Sequence, residues 1–568
     1  MKPYGRMRHA MAQAYLFLFG LGLTCSAQVT FIDTTGPAQI RFKHDNAASP
    51  RKYIIETMGS GGAWIDYDND GFLDLFLVNG GPTPAYKPAK APRNALFRNL
   101  GNGTFVEVTA KAGLGGNGSF GMGAAVADFD NDGYPDLYVT GYPRSTLYRN
   151  QRNGVFADIG IKAGVANSKR FASSAGWFDY DKDGNVDLLV LNYLDWSYES
   201  DVYCGDKRRG MRQYCHPDNY KGVSPALYKN NGDGTFTDAT KQTGIENSDG
   251  KGLGLVLADF NRDGWTDIFV ANDGVRNFLY WNLGNGKFRD ATYESGAGFS
   301  EDGFPEAGMG CDAADYMHEG WMGIYVTHLE FQWNRLYRYA GKGTFLDSTV
   351  EAGLARGRNL LSGFGTRFVD YDNDGWPDLA VANGHILDNI HLVHPDVEYA
   401  EPKLMLRNLG GGKFENASAS LGTAFQVKRV GRGMILGDFD NDGDLDIVTT
   451  NNGQQPELLR NDGGNRNSWI GFRLIGVQSN RDAIGAQITI RAGQLRQTDQ
   501  IKGGTSYLSS GDPRLYFGLG GAERVDEVGI RWPSGREEKL EHVRARQILT
   551  VKEGAGIQAS GLRPAPTP

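Results

Sequence analysis

The sequence lacks the short motifs that mark the common catalytic and nucleotide-binding sites. Its 568 residues contain no GxSxG, HExxH, P-loop or CxxC sequence. The formal charge is −8 and no patch of basic residues is present. Nucleic acid is therefore excluded as a partner, because such binding needs a basic surface. These absences leave the function to be read from the patterns that recur.

Long hydrophobic runs are also missing, with one exception near the N-terminus. The stretch "AYLFLFGLGLT" follows Lys2, Arg6 and Arg8 and precedes "CSA" before Gln28, which is typical of a signal peptide over residues 1–27. The stretch is too short to span a bilayer. We therefore expect a secreted or periplasmic protein without a transmembrane segment. Lipid attachment at Cys25 is the alternative to cleavage after Ala27.

Aspartate recurs in a fixed pattern along the chain. The first copy, "DYDNDGFLD" from Asp66, has carboxylates at positions 1, 3, 5 and 9 of a short loop, with glycine at position 6. Carboxylates in this arrangement, together with the backbone carbonyl of position 7, suit Ca²⁺ better than a transition metal. A turn rich in Asp, Asn and Gly that binds nothing is the alternative for any single copy, and the recurrence of the pattern favours the metal.

Six copies keep the ligand pattern, so we predict about six calcium sites. The remaining copy, "DYMHEGWMG" from Asp315, is the fifth along the chain. It has Met317 and Gly323 at ligand positions and is expected to have lost its metal. The predicted ligands are Asp66, Asp68, Asp70, Phe72, Asp74, Asp128, Asp130, Asp132, Tyr134, Asp136, Asp179, Asp181, Asp183, Asn185, Asp187, Asp259, Asn261, Asp263, Trp265, Asp267, Asp370, Asp372, Asp374, Trp376, Asp378, Asp438, Asp440, Asp442, Asp444 and Asp446.

The loops join strands rather than helices. An EF-hand needs a glutamate at position 12 and a helix on each side, but position 12 is Leu, Val or Thr and is part of a β-rich run such as "LFLVN". A second signature, "LYRN" followed by a Gly-rich turn and "GTF", alternates with the loops and predicts a β-hairpin. Its seventh copy is split between "ELLRND" at 457–462 and "VTFIDTT" at 29–35. If these two halves pair, seven four-stranded units close into an all-β, seven-bladed β-propeller.

These loops and hairpins resemble the FG-GAP/VCBS repeats of integrin α-chain propellers, and the order of elements resembles the cartilage acidic protein family. The segments "NSWIGFRLIGVQSNRDAIGAQITI" and "GGTSYLSSGDPRLYFGLGGAERVDEVGIRWPSG" are similar to the ASPIC/UnbV domain. We therefore expect a propeller over residues 28–466, a small ASPIC/UnbV-like β-sheet domain over 467–552 and a disordered tail over 553–568.

Two cysteines are expected to pair. Cys204 and Cys215 bracket the polar insertion "CGDKRRGMRQYC", which favours a loop-closing disulfide in an oxidising compartment. Cys311 follows small apolar residues and is expected to be a buried thiol.

The last residues of the post-loop strands suggest a ligand face opposite the calcium loops. Thirteen residues beyond the first Asp of each loop, five of the seven residues are Asn. Such residues either satisfy the backbone at strand ends or form a polar ring that contacts a partner, and in the resembling integrin chains this is the partner-binding face. The candidates are Asn79, Asn192, Asn272, His328, Asn383, His385 and Asn451.

Two functions therefore remain. The first is a secreted, calcium-binding recognition or adhesion-type protein, monomeric, that binds an extracellular protein or glycan through this face. The alternative is an enzyme at the propeller mouth that uses His328 and His385, with or without a transition metal. The absence of a recognisable catalytic set favours the first.

Overall fold

The β-rich runs between the Asp-rich loops form antiparallel four-stranded sheets. The computed structural model describes residues 29–560, and the predicted signal peptide lies outside them. Within the described residues, no helix has the length and apolar character needed to cross a lipid bilayer. The first elements are strand β1 (Thr30–Asp33) and helix α1 (Ile55–Met58).

Seven sheets follow one another along the chain. The first contains β2 (Gly62–Ile65), β3 (Asp74–Leu77), β4 (Ala95–Asn99) and β5 (Phe105–Glu107), and is followed by α2 (Thr109–Ala112). The second contains β6 (Phe120–Ala127), β7 (Asp136–Tyr142), β8 (Thr146–Asn150) and β9 (Phe156–Asp158). The third contains β10 (Ala172–Phe178), β11 (Asp187–Asn192), β14 (Ala226–Asn230) and β15 (Phe236–Asp238). A separate hairpin of β12 (Cys204–Asp206) and β13 (Met211–Gln213) is inserted between its second and third strands. Helix α3 (Thr240–Thr243) follows this sheet.

The remaining sheets repeat this order. The fourth contains β16 (Gly252–Ala258), β17 (Asp267–Asn272), β18 (Phe278–Asn282) and β19 (Phe288–Asp290), followed by α4 (Thr292–Ser295). The fifth contains β20 (Cys311–Ala314), β21 (Gly323–Val326), β22 (Arg335–Gly341) and β23 (Thr344–Asp347). The sixth contains β24 (Gly363–Val369), β25 (Asp378–Asn383), β26 (Leu404–Asn408) and β27 (Phe414–Asn416), followed by α5 (Thr423–Gln426). The seventh contains β28 (Gly431–Gly437), β29 (Asp446–Asn451), β30 (Glu457–Asp462) and β1.

The seven sheets form a closed ring. Each inner strand contacts the inner strand of the next sheet, and β28 of the seventh contacts β2 of the first. The N-terminal β1 pairs antiparallel with β30, with Thr30 opposite Asp462, so the predicted completion of the last unit by the N-terminal strand is confirmed. The all-β propeller is confirmed as well, and the seven sheets fit the seven predicted blades.

The C-terminal part folds into two further sheets. Their strands are β31 (Ser468–Ile475), β32 (Gln487–Ala492), β33 (Leu495–Gln500), β35 (Leu515–Gly520), β36 (Arg524–Arg531), β37 (Glu537–Arg544), β38 (Ile548–Lys552) and β39 (Gly556–Ser560). One sheet has the order β35-β31-β38-β39 and the other β33-β32-β36-β37. The short β34 (Ser509–Ser510) instead joins the first propeller sheet, beside β2.

The end of the chain is more ordered than the sequence predicts. The expected unstructured tail began at Glu553, but β39 pairs with β38, and the Glu553 carboxylate accepts hydrogen bonds from three backbone N–H groups near residue 478 at 2.7–2.9 Å. Strand pairing with a distant segment supplies these backbone partners, and local composition does not reveal it. Residues 561–568 lie outside the described part.

The cysteine predictions are confirmed. A disulfide joins Cys204 to Cys215 across the hairpin of β12 and β13, and Cys311 is a buried free thiol in β20.

An asparagine joins each pair of neighbouring blades at almost every seam. In the third blade, Asn230 Nδ2 donates to the carbonyl of Val186 in its own blade at 3.1 Å and to that of Phe129 in the previous blade at 2.8 Å. Its backbone N–H donates to the buried Asp187 carboxylate at 2.8 Å. The equivalent seam residues, each with a bond to the preceding blade, are Asn99, Asn150, Asn230, Asn282, Asn408 and Asn461. The fifth blade has Tyr339 at this position.

A segment of the C-terminal part fills the central channel. Between β33 and β35 the chain runs along the inner strands, where Gly503, Gly504 and Leu508 accept backbone N–H bonds from three different blades at 2.9–3.2 Å. The buried Tyr507 crosses the channel and its hydroxyl donates to Met58 O at 2.7 Å. This channel segment, residues 501–514, means that the propeller has no open axial pore.

Glycine on the inner strands makes room for the channel segment. Six of the seven inner strands have Gly five residues before the first Asp of their loop. A Cβ on Gly61 would lie 2.1 Å from Leu508 O, and one on Gly123 would lie 2.9 Å from Leu508 Cα. Glycine at 61 and 123 therefore permits close approach of the channel segment, whereas a Cβ on Gly254, Gly310 or Gly365 would meet the backbone of the next blade.

We expect Asn230→Ala to lower the free energy of unfolding by about 3 kcal/mol, because it leaves the buried carbonyls of Phe129 and Val186 without their side-chain donor. Asn231→Ala, at the exposed neighbouring position, is the control and should change stability by less than about 0.5 kcal/mol. Denaturant titration followed by tryptophan fluorescence measures both. Equal losses in the two variants would contradict a role for the seam asparagine.

Deletion of residues 29–35 should cause aggregation or a large drop in melting temperature. It removes the buried Phe31 and leaves β30 as an unpaired edge. The control is the chain that begins at Val29. Light scattering and melting by circular dichroism measure the outcome, and a truncated protein as stable as the control would rule out closure through β1.

Candidate metal centres and the opposite face

Each Asp-rich loop joins an inner strand to the second strand of its blade. In the second loop, the Asp128 carboxylate accepts the backbone N–H groups of Asp132 at 2.9 Å and Gly133 at 2.7 Å. Gly133 has φ of 92°, a left-handed conformation that glycine adopts readily. These bonds curl the loop so that its carboxylates converge.

Five of the loops bring three carboxylates together. In each, one oxygen from every member lies within 4.8 Å of the others, which is close enough for a shared cation. The clusters are Asp66, Asp68 and Asp70; Asp128, Asp130 and Asp136; Asp179, Asp181 and Asp187; Asp370, Asp372 and Asp374; and Asp438, Asp440 and Asp446. These loops belong to blades 1, 2, 3, 6 and 7.

The donor set fits a hard cation. Buried carboxylate oxygens without a hydrogen-bond partner occur at Asp68 Oδ1, Asp130 Oδ1, Asp181 Oδ1 and Asp440 Oδ1. A buried anionic oxygen without a partner is costly, and oxygen-only clusters are the ligands that Ca²⁺ prefers. The clustered residues could therefore hold calcium, while the carbonyls of position 7 stay predicted ligands.

Burial changes the protonation of these carboxylates. It raises the pKa of Asp66 to about 6 and those of Asp128 and Asp179 to about 7, with neighbouring carboxylates acting in the same direction. Burial also holds the pKa of Asp136, the position-9 residue of the second loop, well above the usual value of an aspartate. Without a cation, the loops therefore resist full ionisation at neutral pH.

Basic side chains from the third strand contact the loops from the outside. Arg98 contacts Asp68 at 2.7 Å and Asp70 at 3.0 Å. Arg149, Lys229 and Arg407 lie in the same way in their blades. The basic residue before the Asn of the hairpin signature thus offsets part of the loop charge, a role that we did not predict.

The fourth and fifth loops differ from the rest. In the fourth, Asn261 Nδ2 donates to Asp263 at 2.9 Å, and Arg531 from the C-terminal part contacts Asp259 at 2.6 Å. In the fifth, His318 stacks on Trp376 of the next loop with ring centroids 4.0 Å apart. The described residues of the fifth loop form no carboxylate cluster.

The loops contact one another around the ring through position 4. All seven position-4 residues have φ between 51° and 60°, which directs their side chains to the next loop. Asn69, Asn131, His318, Asn373 and Asn441 bond to the glycine carbonyl of that loop at 2.8–3.1 Å. Lys182 and Arg262 instead lie over the tryptophan rings of the next loop.

The C-terminal part covers this end of the propeller. Asp482 accepts the backbone N–H of Asp128 at 2.7 Å, and Gln500 accepts that of Asp259 at 3.0 Å. Arg514 donates to Asn441 Oδ1 and to the carbonyl of Asp438 at 2.6–2.8 Å. The Asp-rich loops therefore face the C-terminal sheets.

At the opposite end, the predicted ligand-face residues are buried. The Nδ2 groups of the five asparagines donate to loop carbonyls, such as Ser224 O for Asn192 and Pro402 O for Asn383, each at 2.8 Å. The buried residues are Asn79, Asn192, Asn272, His328, Asn383, His385 and Asn451. Their side chains anchor the loops that follow the second strands and are not free to contact a partner.

The two histidines each face one glutamate. His328 Nε2 lies 3.8 Å from Glu306, and His385 Nε2 lies 3.1 Å from Glu330. Burial lowers the pKa of His328 to about 4, so this ring is neutral at physiological pH. Neither histidine joins a three-ligand metal cluster within residues 29–560.

Family comparisons agree with this architecture. An FG-GAP-like repeat matches residues 66–139, 128–190, 201–270 and 259–326, and an ASPIC and UnbV domain matches residues 476–558. The chain therefore contains FG-GAP-like repeats followed by a C-terminal ASPIC and UnbV domain. Its relatives include cartilage acidic protein 1 of Xenopus tropicalis, which is 24% identical over a 521-residue match that covers 84% of this chain and 70% of the Xenopus protein.

The chain is also similar to other proteins. Cartilage acidic protein 1 of Homo sapiens is 23% identical over 517 residues, which cover 87% of this chain and 63% of the human protein. Among solved structures, an Agrocybe aegerita protein that recognises non-reducing terminal N-acetylglucosamine is 18% identical, with a TM-score of 0.39 over 63% of this chain and 79% of its own.

Without calcium, we expect stability to fall as the pH rises from 5 to 7.5. The raised pKa values mean that the folded state holds more protons than the unfolded state, whose aspartates titrate near pH 4. Stability gained from these protons is complete below about pH 4 and is lost as the pH passes the folded pKa values. Melting in chelator across this range measures the effect, and Asp128→Asn with Asp179→Asn should flatten it. A melting temperature that rises over the same range would contradict the prediction.

Proposed function

We propose that this chain is a secreted, calcium-stabilised recognition protein that acts as a monomer. One observation carries the proposal: the two ends of the propeller differ. The end with the metal loops lies under the protein's own C-terminal sheets, whereas the other end presents long loops. In this proposal the propeller extends to about residue 466, and the loop end binds an extracellular protein or glycan.

Calcium would serve the fold rather than a reaction. Each carboxylate cluster lies within one loop, and the loops contact one another around the ring through their position-4 residues, so repulsion within a loop would disturb these contacts. Calcium bound there would neutralise each loop and fix its shape, and so support its contacts with the next loop. Extracellular calcium is abundant, so weak sites, on the order of 10⁻⁴ to 10⁻³ M, would be filled.

The loop end has the features of a recognition surface. Phe304 and Leu392 are 68% and 58% exposed, and Phe331 and Val393 are more than two-fifths exposed. These residues lie in connections that the strand directions place at the end opposite the metal loops. Exposed apolar side chains set among polar loops are typical of a surface that binds a partner.

Secretion is supported by two independent features. The relatives are named cartilage acidic proteins, and the Cys204–Cys215 disulfide suits an oxidising compartment. The predicted signal peptide over residues 1–27 would direct export.

The enzyme alternative gains no support from the histidines. His328 is 1% and His385 is 2% exposed, so neither ring can reach a substrate at the loop end. We therefore favour recognition over catalysis.

Calcium should raise the melting temperature at neutral pH relative to chelator, because an ion that binds only the folded state stabilises it by about 1 kcal/mol per site when present at several times its dissociation constant. Asp370→Ala should reduce this gain. Asp315→Ala, in the loop predicted to have lost its metal, is the matched control and should leave the gain unchanged. Identical melting in calcium and chelator would refute the structural role.

Recognition is tested by probing arrays of glycans and secreted proteins with the calcium-loaded chain. Leu392→Ser with Val393→Ser should weaken the captured signal about tenfold, because these side chains are exposed on the loop end. Val477→Ser with Ile557→Ser, an equally apolar and exposed pair on the C-terminal sheets, is the control. Equal loss in both variants, or no specific signal, would count against binding at the loop end.

A further inference from the structure

A crevice of about 460 Å³ lies between the metal loops and the C-terminal sheets. Its walls come from the first and second loops, the end of β31 and the channel segment. A cavity of this size falls within the range of small-molecule sites, which often lie between two packed parts of a chain. This crevice is distinct from the exposed loops at the other end of the propeller.

One wall of the crevice is apolar and incompletely packed. Val126, Ala175, Ile475 and Ile548 line it, and each is only half-buried. These side chains come from the propeller and from β31 and β38, so the two parts do not cover each other fully here. An occupant with an apolar body would remove this surface from water.

The carboxylates that line the crevice already have partners. Asp512 pairs with Arg514 at 2.7 Å, and Asp482 accepts the Asp128 N–H at 2.7 Å. The other lining carboxylates accept backbone or arginine N–H groups and are Asp66, Asp70 and Asp128. A cationic occupant would therefore have to compete with bonds that hold the loops.

Two arginines at the crevice have donors to spare. Arg473 Nη1 lies 3.8 Å from Asp66 Oδ2, which is too far for a hydrogen bond. Arg481 lies beside Gly133; its guanidinium is not in direct contact with any described carboxylate, although it is near enough to the buried Asp482 to interact with it electrostatically. Deeper in the crevice, Ser509 Oγ is buried and has no hydrogen-bond partner among the described residues.

We propose that this crevice binds a small amphipathic carboxylate. The carboxylate would be held by Arg473 and Arg481, since a guanidinium fork matches a carboxylate in shape and charge. The apolar body would lie against Val126, Ala175 and Ile548. This activity is independent of partner recognition at the loop end.

The direct test is isothermal titration of the full chain in calcium buffer with octanoate. Octanol and octyltrimethylammonium are the neutral and cationic probes of matched chain length. We expect saturable binding of one octanoate per chain, with octanol at least about tenfold weaker because it cannot use the guanidinium groups. No saturable octanoate binding, or equal binding of octanol, would overturn the proposal.

Two variants locate the binding. Arg473→Gln with Arg481→Gln should weaken octanoate at least about tenfold, whereas Arg491→Gln with Arg496→Gln makes the same charge change outside the crevice and should have no effect. Ala175→Phe should block binding by filling the crevice. Unchanged affinity in both crevice variants would also overturn the proposal.

Melting of each variant in calcium and in chelator is measured on the same samples. Loss of octanoate binding with an intact calcium response would support the crevice site alone. If octanoate still binds to a chain that shows no calcium response, the proposed role of calcium fails while the proposed crevice site stands.

Discussion

The seam between neighbouring blades is the interaction on which the rest of the structure depends. A propeller is stable only if every blade packs against the next. Here a buried Asn, such as Asn230, donates to a carbonyl of the preceding blade, and an aspartate of its own Asp-rich loop accepts its backbone N–H. The same residues therefore serve the blade, the seam and the loop. This sharing explains why the hairpin and loop signatures alternate so regularly along the chain.

The Asp-rich loops crowd negative charge, and several kinds of contact reduce the resulting repulsion. Outer arginines such as Arg98 contact the loop carboxylates, position-4 side chains fasten each loop to its neighbour, and backbone N–H groups donate to the first Asp. The C-terminal sheets then cover the ring of loops. Partial burial strengthens all these contacts. The end of the propeller where carboxylates are crowded is therefore also an end with many ion pairs and hydrogen bonds between the loops and their neighbours.

Much of the fold could be predicted from local sequence. Loop spacing, the split seventh hairpin and the bracketing cysteines each depend on residues close in sequence or on a repeated pattern, and the propeller, its closure and the disulfide followed from them. The prediction of a ligand face missed the burial of Asn383, because whether a loop folds back over a strand end depends on packing between residues far apart in sequence. The seam role of Asn230 and the channel segment were missed for a similar reason: the Asn and Gly repeats were visible, but their partners lie far away in sequence.

The channel segment limits the modularity of this two-part chain. Repeat proteins commonly exchange or lose domains at flexible linkers, but here Tyr507 from the C-terminal part reaches Met58 at the far end of the propeller, and Gly61 and Gly123 have no room for a side chain beside Leu508. Inner-strand residues and the segment they surround must therefore change together during evolution. A propeller of this type cannot be recombined freely with a different C-terminal partner, which ties the history of the two parts to each other.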